Sequence, residues 1–500
     1  MEFRWIGAAA AVAAALTFSP LAAHADDTLR LAWDEDWGGA ESLDPISPNR
    51  HYMINDIIYS RLMREDENGE PIPELATAWS ASDDAMEWTI DLRDGVMFHD
   101  GSTFDAADVV YTFDRIMDPE IDSPVASVLQ IIDHVELVDD DTVKIVLSSP
   151  HADLPLLLLD YRIRMIPEGS GDTIAETGIG SGPFKLESFD PQGTSRLVAF
   201  DDYWEGKPKL AAVEVYSIPD SDARIQALLA GQIDMAGASF QQARLFQGND
   251  DFVVQVYPAG SWQGIVFRTD TPPFDDPRVR KAIRIAADRQ AFIDLVLGEG
   301  NGEIACDNPV WKGDPYRADI DCAQDIEGAK ALLAEAGYPD GISFDVYTSN
   351  LESEMVPIAE VYQQQVAPAG ITVNVVMTPA DGYWSDVWMV ESASITSWGE
   401  RPADQILNEA YRSTSSWNET YYNNPEFDAL LDRARSELDP DKRAELYGDA
   451  QRMLFEDGGS FIPYNMNGMR IVSADLTNIP ADHNDNWVRW ELVTKDGATD

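Results

Sequence analysis

Apolar and polar residues along the chain follow the two periodicities expected of strands and helices. Trp88–Leu92 alternates apolar and polar positions, which predicts a strand with one buried face. The segments 135–138 and 142–147 flank three consecutive aspartates and predict a β-hairpin. Apolar residues recur at helical spacing between Thr103 and Pro119, so we expect a helix that begins at Thr103 and ends before the proline.

Helix caps in the second half of the chain indicate alternating helices and strands. Ser221 and Asp325 are each predicted to begin a helix. Asp439 and Pro440 stand in the order of an N-cap followed by a proline in the first helical turn. Since strands and helices alternate after about residue 213, we expect an α/β protein with open sheets.

The first 25 residues have the form of a cleavable signal peptide. Arg4 supplies a positive charge, Ile6–Phe18 is apolar, and Ala23–Ala25 forms an A-x-A cleavage site. The apolar run is shorter than the ~20 residues needed to span a bilayer; an uncleaved anchor or a buried helix is the alternative. No cysteine lies near the site, so we expect cleavage after Ala25 and a mature chain free in the periplasm.

The charge balance is strongly acidic. Of 500 residues, 89 are Asp or Glu and 35 are Lys or Arg, which gives a formal net charge of −54. A field of this sign repels phosphate backbones and anionic lipid headgroups, which argues against nucleic acids and acidic membranes as partners. Because salt screens the self-repulsion of such a surface, we expect an acidic, halophilic-type surface from a salt-adapted organism.

Cys306 and Cys322 are the two cysteines of the chain. An oxidising compartment favours a disulfide between them, and metal binding, with the neighbouring Asp307 and Asp321, is the alternative. No histidine lies close to them in the sequence, so we expect the disulfide, and neither a metal site nor a cofactor.

No catalytic set is recognisable in the sequence. The chain has no G-x-S-x-G, H-E-x-x-H, Walker or dinucleotide-binding motif. The histidines outside the signal peptide are not spaced as metal ligands, either from one another or from the cysteines. We therefore expect that the protein is not an enzyme. These histidines are His51, His99, His134, His151 and His483.

Several of the 14 tryptophans stand in polar or glycine-flanked segments. Such side chains can line a wet cleft, because an indole offers a large contact area and one N–H donor. The alternative for each is an anchor that packs a loop onto the core. The four residues of this kind are Trp37, Trp262, Trp398 and Trp417.

An ordered series of sequence blocks resembles a known family. The blocks are Ser42–Pro45, Pro73–Ala76, Phe98–Gly101, Asp105–Phe113, Gly180–Leu186, Arg224–Asp234, Asp276–Ile283 and Ala329–Tyr338. The series resembles the family 5 extracellular solute-binding proteins, which are the dipeptide, oligopeptide and nickel receptors of ABC importers. The resemblance covers nearly all of the mature chain.

The resemblance implies a large periplasmic-binding-protein fold of the cluster C type. Two α/β lobes would close on a hinge, with an extra lobe beside the first. Two strands would cross between lobes I and III, near Gly260 and Arg470. Lobe I would comprise 26–70, 183–260 and 470–500, the extra lobe (lobe II) 71–182, and lobe III 261–469.

The function implied by the resemblance is solute capture for transport. Closure hides the solute from water, which strengthens each polar contact, and the closed form is what a permease recognises. We expect a monomer that binds a peptide or similar small nitrogen-containing solute and delivers it to permease and ATPase subunits. A receptor for an opine, a sugar or a metal chelate is the alternative, and an exported enzyme is a third. A further role with a chemosensor stays open.

The resemblance also implies where the ligand would lie. The three segments concerned are 34–38, 260–262 and 398–404. Peptide receptors hold the α-amino group of the ligand with an aspartate in the last segment, and here both Glu400 and Asp404 qualify.

Two further places in lobe III bear on the ligand. Dipeptide receptors hold the ligand carboxylate with an arginine early in a helix, but Leu351–Pro357 carries glutamates there instead, and Arg401 is the substitute. A subset of the family has Trp-Asn facing the cleft, matched here by Trp417 and Asn418. The alternative for this pair is a capping turn before the helix at Pro425.

The binding site would select its ligands by charge if the acidic residues of these segments approach the ligand. Glu354, Glu400, Asp404 and the acidic residues 34–36 would make the site negative, so we expect ligands with an ammonium or guanidinium group. Acidity of the whole chain is the alternative explanation. A nickel site would require a histidine near the cleft, for which His51 is the candidate.

Overall fold

The computed structural model describes residues 27–33, 39–66, 69–121, 123–126, 128–352, 354–379, 383–480 and 488–495. The predicted signal peptide and Trp37 lie outside these residues. The strands are β1 (Thr28–Trp33), β2 (Met63–Glu65), β3 (Pro71–Pro73), β4 (Ala76–Ala81), β5 (Glu87–Leu92), β6 (Ile132–Asp139), β7 (Thr142–Leu147), β8 (Phe184–Ser188), β9 (Thr194–Ala199), β10 (Ala212–Ser217), β11 (Met235–Gly237), β12 (Phe252–Phe267), β13 (Gly302–Ile304), β14 (Ile342–Ser349), β15 (Ile371–Thr378), β16 (Ala393–Trp398), β17 (Ser460–Ser473), β18 (Leu476–Thr477) and β19 (Thr494–Lys495). The α-helices are α1 (Tyr52–Ile58), α2 (Ala106–Met117), α3 (Leu154–Leu157), α4 (Ile174–Thr177), α5 (Ser221–Leu229), α6 (Phe240–Ala243), α7 (Pro277–Ile285), α8 (Arg289–Phe292), α9 (Ile326–Glu335), α10 (Met355–Val366), α11 (Tyr383–Asp386), α12 (Ala403–Tyr411), α13 (Pro425–Ser436) and α14 (Pro440–Asp457).

An eleven-stranded sheet runs through the molecule in the order β15-β14-β16-β12-β17-β11-β1-β10-β9-β8, with β13 paired to β17. The long antiparallel strands β12 and β17 join its two halves. The carboxyl half of β12 also pairs with β16, and the carboxyl end of β17 pairs with β11. The pairing between β12 and β17 changes register between Pro258 and Trp262. The two strands therefore carry the sheet across an irregular point near Gly260.

A separate four-stranded antiparallel sheet has the order β4-β5-β7-β6. Its apolar face packs against α2, whose Val109, Phe113 and Ile116 are buried in the same cluster as Ile90 and Val143. The strand predicted at Trp88–Leu92 lies within β5, and the predicted hairpin around the three aspartates is formed by β6 and β7, so both predictions are confirmed. This sheet and α2 lie entirely within the segment assigned to lobe II, residues 71–182.

Two helix starts differ from the sequence prediction. Thr103 does not begin α2; Asp105 is the N-cap, and its carboxylate and that of Asp108 form a reciprocal capping box. Ser221 is the first residue of α5 rather than its cap, because the Asp220 carboxylate accepts the capping hydrogen bond. The predicted caps Asp325 and Asp439 are confirmed.

Different apolar cores fill the two halves of the large sheet. One core packs α7, α9 and α10 against the half that contains β14, β15 and β16. Another packs α1 against the half that contains β1, β8 and β10. A third lies among α12, α13 and α14. This separation of cores is compatible with the lobe boundaries given above. The boundaries themselves stay a prediction.

The predicted disulfide is present. Cys306 and Cys322 are bonded, with their Cα atoms 5.5 Å apart. The chain-entropy model assigns about 3 kcal/mol of stabilisation to closure of a loop of this length. The bond closes residues 306–322, a segment with little regular secondary structure. Several residues of this segment line the pocket described next.

Candidate functional site

The carboxyl ends of β14 and β16 lie on one edge of the large sheet. The two strands are parallel, with Tyr347 opposite Ser394. In open α/β sheets the crevice beyond such ends is where ligands bind. β12 passes this edge and places Trp262 directly opposite Trp398. Two of the segments predicted to bind the ligand, 260–262 and 398–404, are therefore neighbours in space.

A pocket of about 370 Å³ is bounded by residues that follow β16. All three predicted lobes contribute to its lining, so it is an interlobe space if those boundaries hold. The lining residues from predicted lobes I and II are Arg61, Glu65, Gly69, Leu156, Leu157, Leu159, Asp160, Tyr161 and Arg162, and those from predicted lobe III are Trp311, Gly313, Asp314, Pro315, Glu400, Arg401, Pro402 and Gln405.

Glu400 lines this pocket and is held by the crossing strand. Its Oε2 accepts a hydrogen bond of 3.0 Å from the backbone N–H of Gly260. A side chain at position 260 would collide with Glu400 and Trp311, so glycine permits this close approach. Burial, and then the nearby Glu65 carboxylate, raise the pKa of Glu400 to about 7. A ligand cation between the two carboxylates would relieve their repulsion.

Arg401 is the second predicted residue in the pocket. Its Nη1 donates to the backbone carbonyl of Glu400 at 2.9 Å. Its Nε lies 3.7 Å from the carboxylate of Glu409, and its side chain is 34% exposed. A weak, partly exposed ion pair of this kind contributes little to stability. The guanidinium is therefore placed to turn toward a ligand carboxylate at small cost.

Asp404 is enclosed by protein donors instead of lining this pocket. Arg435 donates to both of its oxygens at 2.8 Å. Tyr447 and Asn408 donate at 2.9 Å, and His151 lies at 3.2 Å. Burial alone would raise the pKa of Asp404, but the Arg435 charge and the contact with His151 hold it well below its usual range. This geometry favours a structural role over the predicted contact with the ligand.

The other predicted tryptophans form one aromatic cluster beside the pocket. Trp262 and Trp398 are buried and stacked, with ring centroids 6.4 Å apart. Trp417 packs edge-on against Trp398 at 5.9 Å and against Trp388 at 6.4 Å, and is half exposed. The buried Glu419 carboxylate accepts the indole N–H of Trp398 at 2.8 Å and also that of Trp388. The ring of Trp417 is thus fixed in place while one side remains open.

Asn418 does not share that exposure. Its Nδ2 donates to the carbonyl of Tyr422 at 2.7 Å, and its Oδ1 accepts from the N–H of Tyr422 at 3.1 Å. The side chain is buried and closes the turn that precedes α13. This agrees with the alternative interpretation, a turn-forming residue, and leaves Trp417 as the accessible member of the pair.

Sequence reasoning missed several residues of the site. Glu65 and Arg61 come from a segment more than 300 residues before Glu400, and no local pattern indicates that they meet it. Trp311, which lines the pocket, was not among the four tryptophans predicted to line a cleft. Glu419 was also missed, but a local signal for it exists, because the sequence places this carboxylate directly after the predicted Trp417–Asn418 pair.

Two further observations concern metal binding and membrane insertion. No group of three or more His, Cys, Asp and Glu side chains is arranged to hold a metal within the described residues. His51 stacks on Trp33 at 3.9 Å, and burial lowers its pKa to about 3. In the part of the chain that the structure covers, no helix has both the length and the apolar character needed to cross a membrane.

The fold and the site define a class of protein. A large sheet crossed by two long strands, separate cores on either side and a crevice at the strand ends are the architecture of periplasmic binding proteins. The chain belongs to the bacterial extracellular solute-binding proteins, family 5, whose model matches residues 70–424. It is therefore a substrate-binding protein of the kind that serves ABC importers.

Particular relatives agree with this assignment. The glutathione-binding protein GsiB of Pectobacterium atrosepticum is 28% identical over 491 residues, which cover 91% of each chain. Heme-binding protein A of Haemophilus influenzae is 30% identical over 443 residues, which cover 79% of each chain. The structure of HbpA2 from Haemophilus parasuis superposes with a TM-score of 0.83 at 23% identity, covering 94% of this chain and 99% of the other. This last similarity, which concerns the fold alone, confirms the predicted fold class.

Proposed function

We propose that this chain is an exported, monomeric receptor that captures a peptide or a similar small nitrogen-containing solute and delivers it to the permease and ATPase subunits of an ABC importer. The observation that carries the ligand class is the Glu400 carboxyl group. It lies partly buried beside Glu65 in the interlobe pocket, with a pKa raised to about 7. An ammonium group of the solute compensates this repulsion.

The opposite charge on a peptide has a partner in the same pocket. Arg401 is 34% exposed and is engaged only weakly by Glu409 among the described residues. A guanidinium can bind a carboxylate through two parallel hydrogen bonds. Glu400 and Arg401 together suit a zwitterion, a chemistry that glutathione, the ligand named for the relative GsiB, also has.

An aromatic or apolar part of the solute would pack on Trp417. The ring is half exposed and is backed by Trp388 and Trp398, so it offers a flat surface that needs no rearrangement. A ring that is already fixed in place can pack against different aromatic or apolar groups of a ligand. This suits a receptor that accepts more than one peptide.

Closure would occur about the two crossing strands. β12 and β17 change register between Pro258 and Trp262, and a short irregular segment between rigid bodies can absorb a hinge rotation. Bending there would move residues 400–405 relative to Arg61 and Glu65, on opposite sides of the pocket. The lobes assigned above, 26–70 with 183–260 and 470–500, 71–182, and 261–469, are the bodies that would move.

Native mass spectrometry of protein purified from its own host tests this function. We expect a non-covalent mass excess that corresponds to a solute with a basic nitrogen, and an N-terminus at Asp26. The Glu400→Gln variant should carry less of the same mass. A bound anion without basic nitrogen would contradict the ligand class and leave the receptor assignment in place.

A further inference from the structure

We propose that a second polar subsite lies at the carboxyl ends of β14 and β16 and binds an ammonium or guanidinium group of the solute through Glu352. The inference rests on the proposed function and extends it to a second part of the ligand. Glu352 follows β14 by three residues and precedes α10. Its carboxylate lies over the end of the sheet face that forms the core with α10.

The core face of the sheet changes from apolar to polar at this edge. Ile265 of β12, Ile395 of β16 and Val346 of β14 are fully buried in one core. Two residues closer to this edge on each strand, on the same face, stand Gln263 of β12, Ser397 of β16 and Thr348 of β14. Gln263 lies opposite Ser397 in the register. The last layer of the core is thus built from hydrogen-bonding side chains.

Several polar atoms of this layer have no hydrogen-bond partner among the residues that the structure describes. They are Oε1 of Gln263, Oγ1 of Thr348 and the hydroxyl of Tyr464, on side chains that are 2%, 0% and 0% exposed. Leaving a buried polar group unpaired is costly unless a ligand or water completes it. Tyr464 belongs to the same face, since it pairs with Gln263 across β12 and β17.

Glu352 supplies the charge of the subsite. Its oxygens accept from Gln263 Nε2 at 2.5 Å and from Ser397 Oγ at 2.7 Å. Both donors are neutral, and no Lys, Arg or His of the described residues forms an ion pair with it. Burial, and then the charges of Glu354 and Glu352, raise the pKa of Tyr464 well above its usual value, which places both carboxylates near its hydroxyl.

The atoms of the subsite indicate which chemical group of a ligand it would bind. A carboxylate, an amide oxygen and two hydroxyls that can accept together suit a group with several N–H donors and positive charge. An anion would meet Glu352 and Glu354 at the start of α10. The ligand is therefore one that carries a cationic group at this subsite as well as an ammonium near Glu400.

Isothermal titration calorimetry with three probes tests the subsite. The probes are Ala-Ala-Ala, its C-terminal amide, and Ala-Ala-agmatine, which carries a guanidinium where the first has a carboxylate. We expect the parent to bind the agmatine derivative about tenfold or more tightly than the amide, a comparison in which neither probe has the carboxylate that Arg401 would bind. Glu352→Gln should abolish this preference. Glu360→Gln, which removes the same charge from the exposed face of α10, should retain it.

The outcomes separate this inference from the proposed function. Equal affinity for the amide and the agmatine derivative, preference for the amide, or an unchanged preference in Glu352→Gln overturns the subsite, while binding itself supports the receptor function. Binding of none of the probes overturns the peptide class and the subsite together. Tyr464→Phe is a second variant: it should bind the agmatine derivative at least threefold more weakly with an unchanged or higher melting temperature. A lower melting temperature with unchanged affinity also overturns the subsite.

Discussion

Glu400 and Asp404 are four residues apart, yet their surroundings differ. Glu400 lies in the loop after β16, faces Glu65 and lines the pocket. Asp404 lies in the first turn of α12 and turns toward α13 and α14, where Arg435 and Tyr447 bind it. Spacing in the sequence made both equal candidates. The distinction depends on which way the helix start faces, and no local pattern fixes that direction.

Asp404→Asn should destabilise the protein rather than act on the ligand alone. The substitution removes the charge that pairs with Arg435 in a buried network, and breaking such a pair costs about 3 kcal/mol or more. Urea unfolding followed by tryptophan fluorescence measures this loss. Asp432→Asn, at a carboxylate that is 66% exposed and pairs with Arg412, is the matched control and should change little. Unchanged stability with lost binding would return Asp404 to the ligand site.

Binding of a solute ammonium should depend on pH through Glu400. The pKa of Glu400 is raised to about 7, and only the ionised carboxylate attracts the cation. Below this value, affinity should fall by about tenfold for each pH unit, and Glu400→Gln should remove that dependence. Calorimetry with Ala-Ala-Ala between about pH 6 and about pH 8 follows the change, over the interval set by this pKa. A pH-independent affinity in the parent would contradict the assignment.

The same raised pKa has a consequence for folding. Because the folded-state pKa of Glu400 lies above its ordinary value of 4.5, the folded protein binds this proton more tightly than the unfolded chain. The contribution is fully present below the ordinary pKa and is lost as pH rises through about 7. Glu400→Gln should therefore gain stability relative to the parent as the pH is raised.

At the scale of elements, periodic segments were predictable and their starts less so. The strand predicted at Trp88–Leu92, the hairpin around the aspartates and the caps at Asp325 and Asp439 match the structure. Thr103 and Ser221 were placed wrongly because a neighbouring aspartate is the stronger acceptor for the free N–H groups of the first turn. Local hydrogen bonding decides such boundaries, and the apolar pattern does not report it.

Removal of the disulfide should lower the stability of the folded protein by a predictable amount. Replacing Cys306 and Cys322 by serine should lower the free energy of unfolding by about 3 kcal/mol, since the unfolded chain regains the freedom of the closed loop. Guanidinium unfolding of the double variant measures it, and the parent under reducing conditions is the matched comparison. If reduction of the confirmed bond leaves the unfolding midpoint unchanged, the loop contributes nothing to global stability.

At the scale of the whole molecule, the ordered sequence blocks were sufficient to predict the fold class, and the pocket was not predictable to the same degree. Glu400 and Arg401 line the pocket, and both lie in the segment 398–404 that the resemblance identifies. Arg61 and Glu65 were not predicted, because their meeting with Glu400 depends on how three distant segments pack. Long-range packing leaves no signature in the sequence around either residue.

The charge of the molecule predicts a dependence on salt. With a net charge of −54, self-repulsion destabilises the compact state and is screened within about 10 Å at 0.1 M salt, and over shorter distances at higher salt. The thermal unfolding midpoint should therefore rise between dilute buffer and molar sodium chloride. An unchanged midpoint would contradict a salt-adapted surface.

The central claim is that the lobes close on a solute by bending at β12 and β17. Small-angle X-ray scattering of the mature protein, with and without a probe whose binding calorimetry has established, tests this most directly. The account predicts a monomer whose radius of gyration and maximum dimension both decrease when the probe is bound. Scattering profiles that are identical in the two states would contradict it.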